Sequence, residues 1–228
     1  MSFRHRHSII SIQTDNVWLD ALLSSKPETR ALVVFLSTSP IADRDSRELI
    51  PAYQLHEADF STLLVNGLTS YEEKRDPDAR YDVPRLAKRL LGVLDWCSHQ
   101  PTLANLPIGL HASGTAAAAA LKAAARIEPP PFGIVSRSGR IDLAGAAPLR
   151  QNVVPIRLIV GGGDDASREP CNRAMQILSG EKSWVEIPGA SDRFVEPGTL
   201  DAAGRAALEW FEHCFARRRE ARAKEALA

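Results

Sequence analysis

LPIGLHASGTAAAAALKAAAR, residues 106–126, decides the fold of this chain, because a short apolar run stops at Ser113 and an alanine-rich helical stretch follows. This strand–turn–helix pattern is typical of a nucleophile elbow, in which a serine stands at the tip of a sharp turn with its hydroxyl exposed. The N-terminus of the helix stabilises negative charge that develops beside the tip. We therefore interpret Ser113 as the candidate nucleophile and Gly114 as part of the substrate-binding turn.

The residues around Ser113 fit this interpretation incompletely. A tight elbow favours very small residues two positions before and after the nucleophile, and His111 and Thr115 occupy those positions here. Gly109 and Gly114 lie nearby but out of register. An elbow shifted along the chain therefore stays open as an alternative.

Composition places the chain among ordinary globular proteins. Its 228 residues are 44% hydrophobic, and 28 basic residues balance 28 acidic ones. This length and composition predict one domain over residues 1–228, with residues 217–228 as a frayed helix or tail. The balanced charge gives no reason to expect a nucleic acid or an anionic membrane as partner.

The cysteines and the apolar runs bear on compartment and cofactors. Cys97, Cys171 and Cys214 are too few and too widely spaced for a disulfide framework or a paired metal site. The N-terminus lacks the apolar run of a signal peptide, and no apolar stretch is long enough to span a bilayer. GGG at 161–163 lacks the remaining residues of a nucleotide-binding loop. We expect a cytoplasmic protein with no cofactor, no metal and no membrane contact.

Short β-branched runs alternate with amphipathic stretches, which predicts an α/β fold with helices on both faces of a mostly parallel sheet. An antiparallel pair is expected at the N-terminal edge. The predicted strands cover 8–14, 17–23, 31–36, 61–66, 107–112, 132–137, 156–161 and 183–187. The predicted helices cover 46–58, 82–100, the stretch after the elbow, 167–179 and 198–219, and the polar stretch 69–81 is predicted as a surface loop.

Acyl transfer by a serine needs an imidazole base, a carboxylate that orients the base, and an oxyanion hole. Asp164 is the candidate acid, because IRLIVGGGDD ends a buried strand with a glycine turn and places a carboxylate at the carboxyl edge of the sheet. A helix N-cap is the competing role for an aspartate in this position.

Four segments resemble the dienelactone-hydrolase-like α/β hydrolases, including the small type often joined to phosphoribosyltransferase domains. They are LPIGLHAS with its alanine run, VSRSGRIDLAG at 135–145, IRLIVGGGDD, and PGASDRFVEPGTL at 188–200. The resemblance implies the α/β-hydrolase fold, a serine or cysteine hydrolase of esters and lactones, and an acid at Asp164. It also implies that the general base follows Gly189-Ala190-Ser191, where this chain has Asp192 in place of the family's histidine.

Other candidate site residues depart from the family pattern. The segment Ser37-Thr38-Ser39-Pro40 stands where similar proteins have His-Gly and build half the oxyanion hole, so Ser37 and Thr38 are candidate substrate-binding residues. His111 lies on the strand that enters the elbow, which favours a structural or substrate-facing role. Arg137, just beyond a predicted strand end, would meet an anionic group of a substrate or a neighbouring carboxylate.

Two functional hypotheses follow. An aspartate in the base position is far too acidic to replace an imidazole at neutral pH, so the first hypothesis is a hydrolase-fold protein whose hydrolytic activity is weak or lost. Its partner would be a small ester, lactone or other pocket ligand, or a protein, and a homodimer is compatible with the sequence. The alternative is an active serine hydrolase of esters, thioesters or lactones, with Ser113 as nucleophile, Asp164 as acid and an unconventional base.

Overall fold

A computed structural model describes residues 6–38 and 47–226, and its centre is an eight-stranded sheet. The strands are β1 (Arg6–Thr14), β2 (Val17–Ser25), β3 (Ala31–Ser37), β4 (Phe60–Asn66), β5 (Ile108–Ser113), β6 (Ile134–Arg137), β7 (Ile156–Gly161) and β8 (Lys182–Ile187). Their order is β1-β2-β4-β3-β5-β6-β7-β8. The pairs β1–β2 and β2–β4 are antiparallel and the others are parallel, which confirms the predicted fold class and the antiparallel N-terminal edge pair.

Seven α-helices surround the sheet in the described part of the chain. They are α1 (Leu49–Glu57), α2 (Ser70–Arg75), α3 (Val83–Ser98), α4 (Ala116–Ala124), α5 (Ala146–Gln151), α6 (Asp165–Ile177) and α7 (Thr199–Glu225). Helices α1 and α7 cover one face, and α3, α4 and α6 contribute to the core on the other. The central strands β3 and β4 are buried along their whole length because both of their faces are covered.

The sheet has a point where consecutive connections leave toward opposite faces. The chain leaves β3 toward α1 on one face, whereas it leaves β5 toward α4 on the other. Ligands of open α/β sheets bind in the crevice that such a reversal creates outside the carboxyl ends of the strands. Ser37 at the end of β3 and Ser113 at the end of β5 border this crevice.

The prediction of a surface loop over 69–81 is wrong. The segment forms α2 and a 3-10 turn, Ala79–Tyr81. Thr69 and Glu72 make a capping box in which each side chain accepts a hydrogen bond from the other residue's backbone N–H. The Thr-x-x-Glu spacing was the available signal, because it satisfies two free donors and starts a helix even where apolar periodicity is absent.

Helix α7 extends through most of the predicted tail. It runs without interruption to Glu225, and residues 227 and 228 lie outside the described part. Its buried residues end at Phe215, so its last turns are charged and solvent-exposed. Within residues 6–38 and 47–226, no helix has the length and apolar character needed to cross a membrane.

Candidate functional site

The tip of the elbow is a glycine. Strand β5 ends at Ser113, Gly114 follows with φ +54°, and α4 begins at Ala116. A positive φ is the left-handed conformation that marks a sharp strand-to-helix turn. The residues two before and two after Gly114 are Ala112 and Ala116, which are as small as a tight elbow requires. The elbow is therefore shifted by one residue from the register first predicted, and the misfit of His111 and Thr115 around Ser113 disappears.

Among residues 6–38 and 47–226, nothing fills the space in front of Gly114. A Cβ atom added to this glycine has no heavy atom of these residues within 4 Å, apart from its chain neighbours. A nucleophilic side chain at this position would therefore project freely into the crevice. The chain supplies no such side chain at its tip, and the role of Ser113 as a nucleophile stays a prediction that the elbow geometry does not favour.

The Ser113 hydroxyl is bound to a carboxylate instead of an imidazole. Its Oγ donates a hydrogen bond to Glu48 Oε1 at 2.8 Å. No histidine of the described chain is hydrogen-bonded to Ser113, and a general base must lie within hydrogen-bond reach of the proton it removes. Glu48, immediately before α1, is thus the one group that the structure places on the Ser113 hydroxyl.

Glu48 belongs to a cluster of buried polar side chains beneath the elbow. Arg137 Nη2 lies 2.6 Å from Glu48 Oε1, and His111 Nδ1 lies 3.6 Å from Glu48 Oε2. All three residues are at most 5% exposed. The register of the sheet explains the contact, because Ser113 on β5 is paired directly with Arg137 on β6.

Two opposing effects set the ionisation of this cluster. Burial raises the pKa of Glu48, but the positive charge of Arg137 and the hydrogen bonds from Arg137 and Ser113 outweigh it, so the pKa of Glu48 lies below its usual value. Burial lowers the pKa of His111 to about 4 despite the nearby Glu48 carboxylate. At neutral pH the cluster therefore contains one ion pair, Glu48 with Arg137, beside a neutral imidazole.

The His111 ring behaves as part of the core. It stacks on Phe35 with ring centroids 4.4 Å apart, and neither ring nitrogen has a hydrogen-bond partner among the described residues. A base that serves Ser113 would need a free path to its hydroxyl. The predicted substrate-facing role of His111 therefore gains no support, while its structural role does.

We expect His111 to make stability depend on pH. Its pKa is lowered on folding, so its contribution is complete above about pH 6.5 and is lost as the pH falls toward about 4. Between about pH 7.5 and about pH 5 the free energy of unfolding should fall by about 2 kcal/mol because of this residue. In urea unfolding, the His111→Phe variant should not show this fall, since a phenyl ring takes up no proton.

The exposed His99 provides the matched control for this experiment. Its side chain is 73% exposed, so His99→Gln should retain the full pH dependence of the wild type. Glu48 does not interfere with this comparison. Its pKa is lowered on folding, so its effect on the free energy of unfolding is confined to the range below about pH 4.5. Equal pH dependence in His111→Phe and in the wild type would contradict the assignment.

The predicted acid, Asp164, lies at the carboxyl end of β7, as expected. It is buried, and its Oδ1 accepts a hydrogen bond from the backbone N–H of Ser167 at 3.1 Å, so it caps α6. Its second oxygen, Oδ2, is buried and has no hydrogen-bond partner in the part of the chain that the structure describes. Asp164 thus fills the N-cap role that the sequence left open, and one oxygen remains for an imidazole that the described chain does not bring to it.

Asp192 lies on the loop between β8 and α7. It is exposed, whereas Ser191 is held by two hydrogen bonds to Glu196. Two residues further, Phe194 is buried with φ +52° and its ring lies 5.4 Å from the Arg137 guanidinium carbon. The loop that carries the base position is therefore docked onto the buried cluster.

Arg47 strengthens this docking, because its guanidinium donates a hydrogen bond to the backbone carbonyl of Arg193. The predicted oxyanion residues lie at the end of β3, where Ser37 is buried and its carbonyl accepts a hydrogen bond from Gly67, and Thr38 is half-buried. Ser39 and Pro40 of the same prediction lie outside the described residues. The predictions for Ser37 and Thr38 stay predictions.

Nothing in the sequence pattern around Glu48 indicates a functional role. It stands among charged and polar residues at the start of a predicted helix, where an acidic side chain is commonplace. Glu48 becomes buried only in the folded protein, where β5 and β6 place Ser113 and Arg137 in contact with it. No cluster of three or more histidine, cysteine or acidic side chains suited to a metal ion occurs within the described ranges.

The sheet order, the crevice and the sharp turn between β5 and α4 define an α/β-hydrolase fold. The solved dienelactone hydrolase of Anabaena variabilis has the same architecture, with 35% identity, a TM-score of 0.84, and coverage of 92% of this chain and 98% of that chain. The chain belongs to the dienelactone hydrolase family of α/β hydrolases.

More distant structures share the fold alone. Est1E of Butyrivibrio proteoclasticus has a TM-score of 0.76 at 13% identity, covering 91% of this chain and 99% of its own. An alpha-beta serine hydrolase homologue of Coxiella burnetii has a TM-score of 0.71 at 17% identity, covering 89% of this chain and 96% of its own. No family model matches the chain.

A longer protein of Mycobacterium tuberculosis is also related. It is provisionally named a phosphoribosyl transferase, and it is 39% identical over 189 residues, which are 83% of this chain. The match covers 42% of the longer protein, so the chain spans about two-fifths of the length of the curated relatives it matches.

Proposed function

We propose that this protein is a member of the dienelactone hydrolase family whose hydrolytic activity is weak or lost and whose crevice binds a small ester, lactone or similar carbonyl compound. The observation that carries the proposal is Gly114 at the tip of the elbow. Nucleophilic catalysis needs a hydroxyl or thiol at the tip, and glycine has neither.

The base position supports the same proposal. The base position holds Asp192, and a carboxylate is a far weaker base than an imidazole, so it is poorly suited to take a proton from a serine and return it to a leaving alkoxide. With Gly114 at the tip and Asp192 at the base position, only Asp164 has a side chain suited to its triad role. The space that the described residues leave open at Gly114, and the positive end of the α4 dipole beside it, would suit the oxygen of a carbonyl ligand.

The contact between Ser113 and Glu48 favours a second candidate function. In that case Ser113 would be the nucleophile of an ester, thioester or lactone hydrolase, and Glu48 would be its unconventional base at 2.8 Å. The charge of Arg137 counts against it, because a carboxylate with a lowered pKa is a weaker base than an ordinary glutamate. We therefore place this candidate second.

Labelling with a fluorophosphonate separates the two candidates. We expect wild-type protein to show no adduct at Ser113 by mass spectrometry under conditions that label an active serine esterase completely, because its hydroxyl is neither at the tip nor next to an imidazole. Ser113→Ala should be indistinguishable from the wild type. Strong labelling that disappears in both Ser113→Ala and Glu48→Gln would reverse the order of the two candidates.

A further inference from the structure

A groove of about 400 Å³ opens at the edge of the sheet opposite the elbow. It is bordered by the segments that lead into β6, β7 and β8, and by the C-terminal half of α7. Strands β6, β7 and β8 are parallel, so their starting ends lie at the far edge from the crevice. The groove is therefore separate from the candidate site, and its volume suits a small molecule.

Apolar side chains form about half of the groove wall, and polar groups form the other half. Phe132 and Cys214 are buried residues that line it, and Pro131 and Pro155 add rigid apolar surface. Val153 also lines the groove, and 77% of its surface is exposed, so its side chain is accessible to a ligand. An apolar ligand body would cover this surface.

Two arginines of α7 line the same groove but differ in their partners. Arg217 is paired with Glu181, which also accepts a hydrogen bond from His213 at 2.9 Å. Arg218 donates only to the backbone carbonyl of Pro130 at 3.2 Å, and its Nε is buried without a partner. No carboxylate of the described residues lies within ion-pair distance of Arg218, so its charge is uncompensated.

The neighbouring groups reinforce this imbalance. Glu181 is the acidic residue that lines the groove, and it is already engaged by Arg217 and His213. Burial lowers the pKa of Arg218, and the positive charge of Arg222 one turn further along α7 lowers it more. An anion beside Arg218 would offset both effects by stabilising the charged guanidinium, and a second cation would destabilise it further.

We propose that this groove binds a small molecule that has one carboxylate on an apolar body, with the carboxylate on the Arg218 guanidinium and the body along Phe132 and Val153. Guanidinium groups match carboxylates in geometry and charge. The binding is non-covalent, because burial raises the pKa of the Cys214 thiol to about 12 and leaves it unreactive at neutral pH.

Titration calorimetry with octanoate, octanol and octylamine tests the charge and the apolar body together. The three probes share one alkyl chain, so we expect octanoate to bind most tightly, octanol at least about tenfold more weakly, and octylamine not measurably. Arg218→Ala should weaken octanoate binding at least about tenfold. Arg218→Lys should retain most of the affinity, since it preserves the charge.

Arg219→Ala is the matched control, because Arg219 is exposed on the same helix, does not line the groove and removes the same charge. Its affinity for octanoate should equal that of the wild type. Octylamine binding as tightly as octanoate, equal losses in Arg218→Ala and Arg219→Ala, or no octanoate binding to the wild type would each overturn the proposal.

Discussion

Gly114→Ser combined with Asp192→His should raise the rate of p-nitrophenyl acetate hydrolysis at least about 100-fold above the wild type, since a positioned general base alone contributes about that much or more. The added hydroxyl would project from the tip into open space. The added imidazole would stand on the loop where the family pattern places the base, and the free Oδ2 of Asp164 would be available to orient it. Initial rates near neutral pH measure the gain.

The control for this prediction is Gly114→Ala with Asp192→His. It has the same backbone restraint at a left-handed position, which costs about 1–3 kcal/mol, but it lacks the hydroxyl. It should hydrolyse the ester no faster than the wild type. A folded serine variant with an unchanged rate would contradict the assignment of position 114 as the nucleophile position of this fold.

Arg137→Ala should reduce the free energy of unfolding by about 3–5 kcal/mol, because it leaves the Glu48 carboxylate buried without its counter-charge. The Phe194 ring would also lose the guanidinium it covers. Urea unfolding near neutral pH measures the loss. For a chain of this size the melting temperature should fall by about 10 °C.

Two further variants decide whether the buried charge causes that loss. The double variant Glu48→Leu with Arg137→Met replaces both charges by apolar groups and should recover most of the stability. Arg140→Ala breaks a partly exposed ion pair with Asp142 and should cost about 0–1 kcal/mol. If Arg137→Ala reduced the free energy of unfolding no more than Arg140→Ala, the result would contradict a stabilising role for the buried Glu48–Arg137 pair.

The sequence predicted the sheet well because its signal is local. The run ALVVFL is apolar throughout and IRLIVG is apolar except for Arg157, and such runs form strands that are buried on both faces. The elbow was predicted within one residue for the same reason, since an apolar run followed directly by an alanine-rich run indicates the change from strand to helix. The backbone φ angle decides which residue stands at the tip. The sequence pattern does not determine that angle, so it left both Ser113 and Gly114 possible.

The buried cluster could not be predicted, because it depends on register between elements far apart in the chain. Glu48 meets Ser113 across 65 positions and Arg137 across 89. Each residue alone has an ordinary surface interpretation, and only the pairing of β5 with β6 makes a buried ion pair of them. Helix α2 was missed for a different reason, since a capping box and not apolar periodicity starts it.

The alanine run that indicated the elbow also limits which substitutions the elbow region accepts. Helix α4 is buried at nearly every position, and it packs against α3 and the sheet with methyl groups as its side chains. A Cβ added at Gly139 would lie 2.4 Å from the Ala117 methyl, so the loop at Gly139 is also packed tightly against α4. A larger side chain at residues 116–120 would have to displace α4 from its neighbours, and the turn at its start would move with it. The short alanine side chains allow α4 to lie close to α3 and to the sheet, and this close packing sets the position of Gly114.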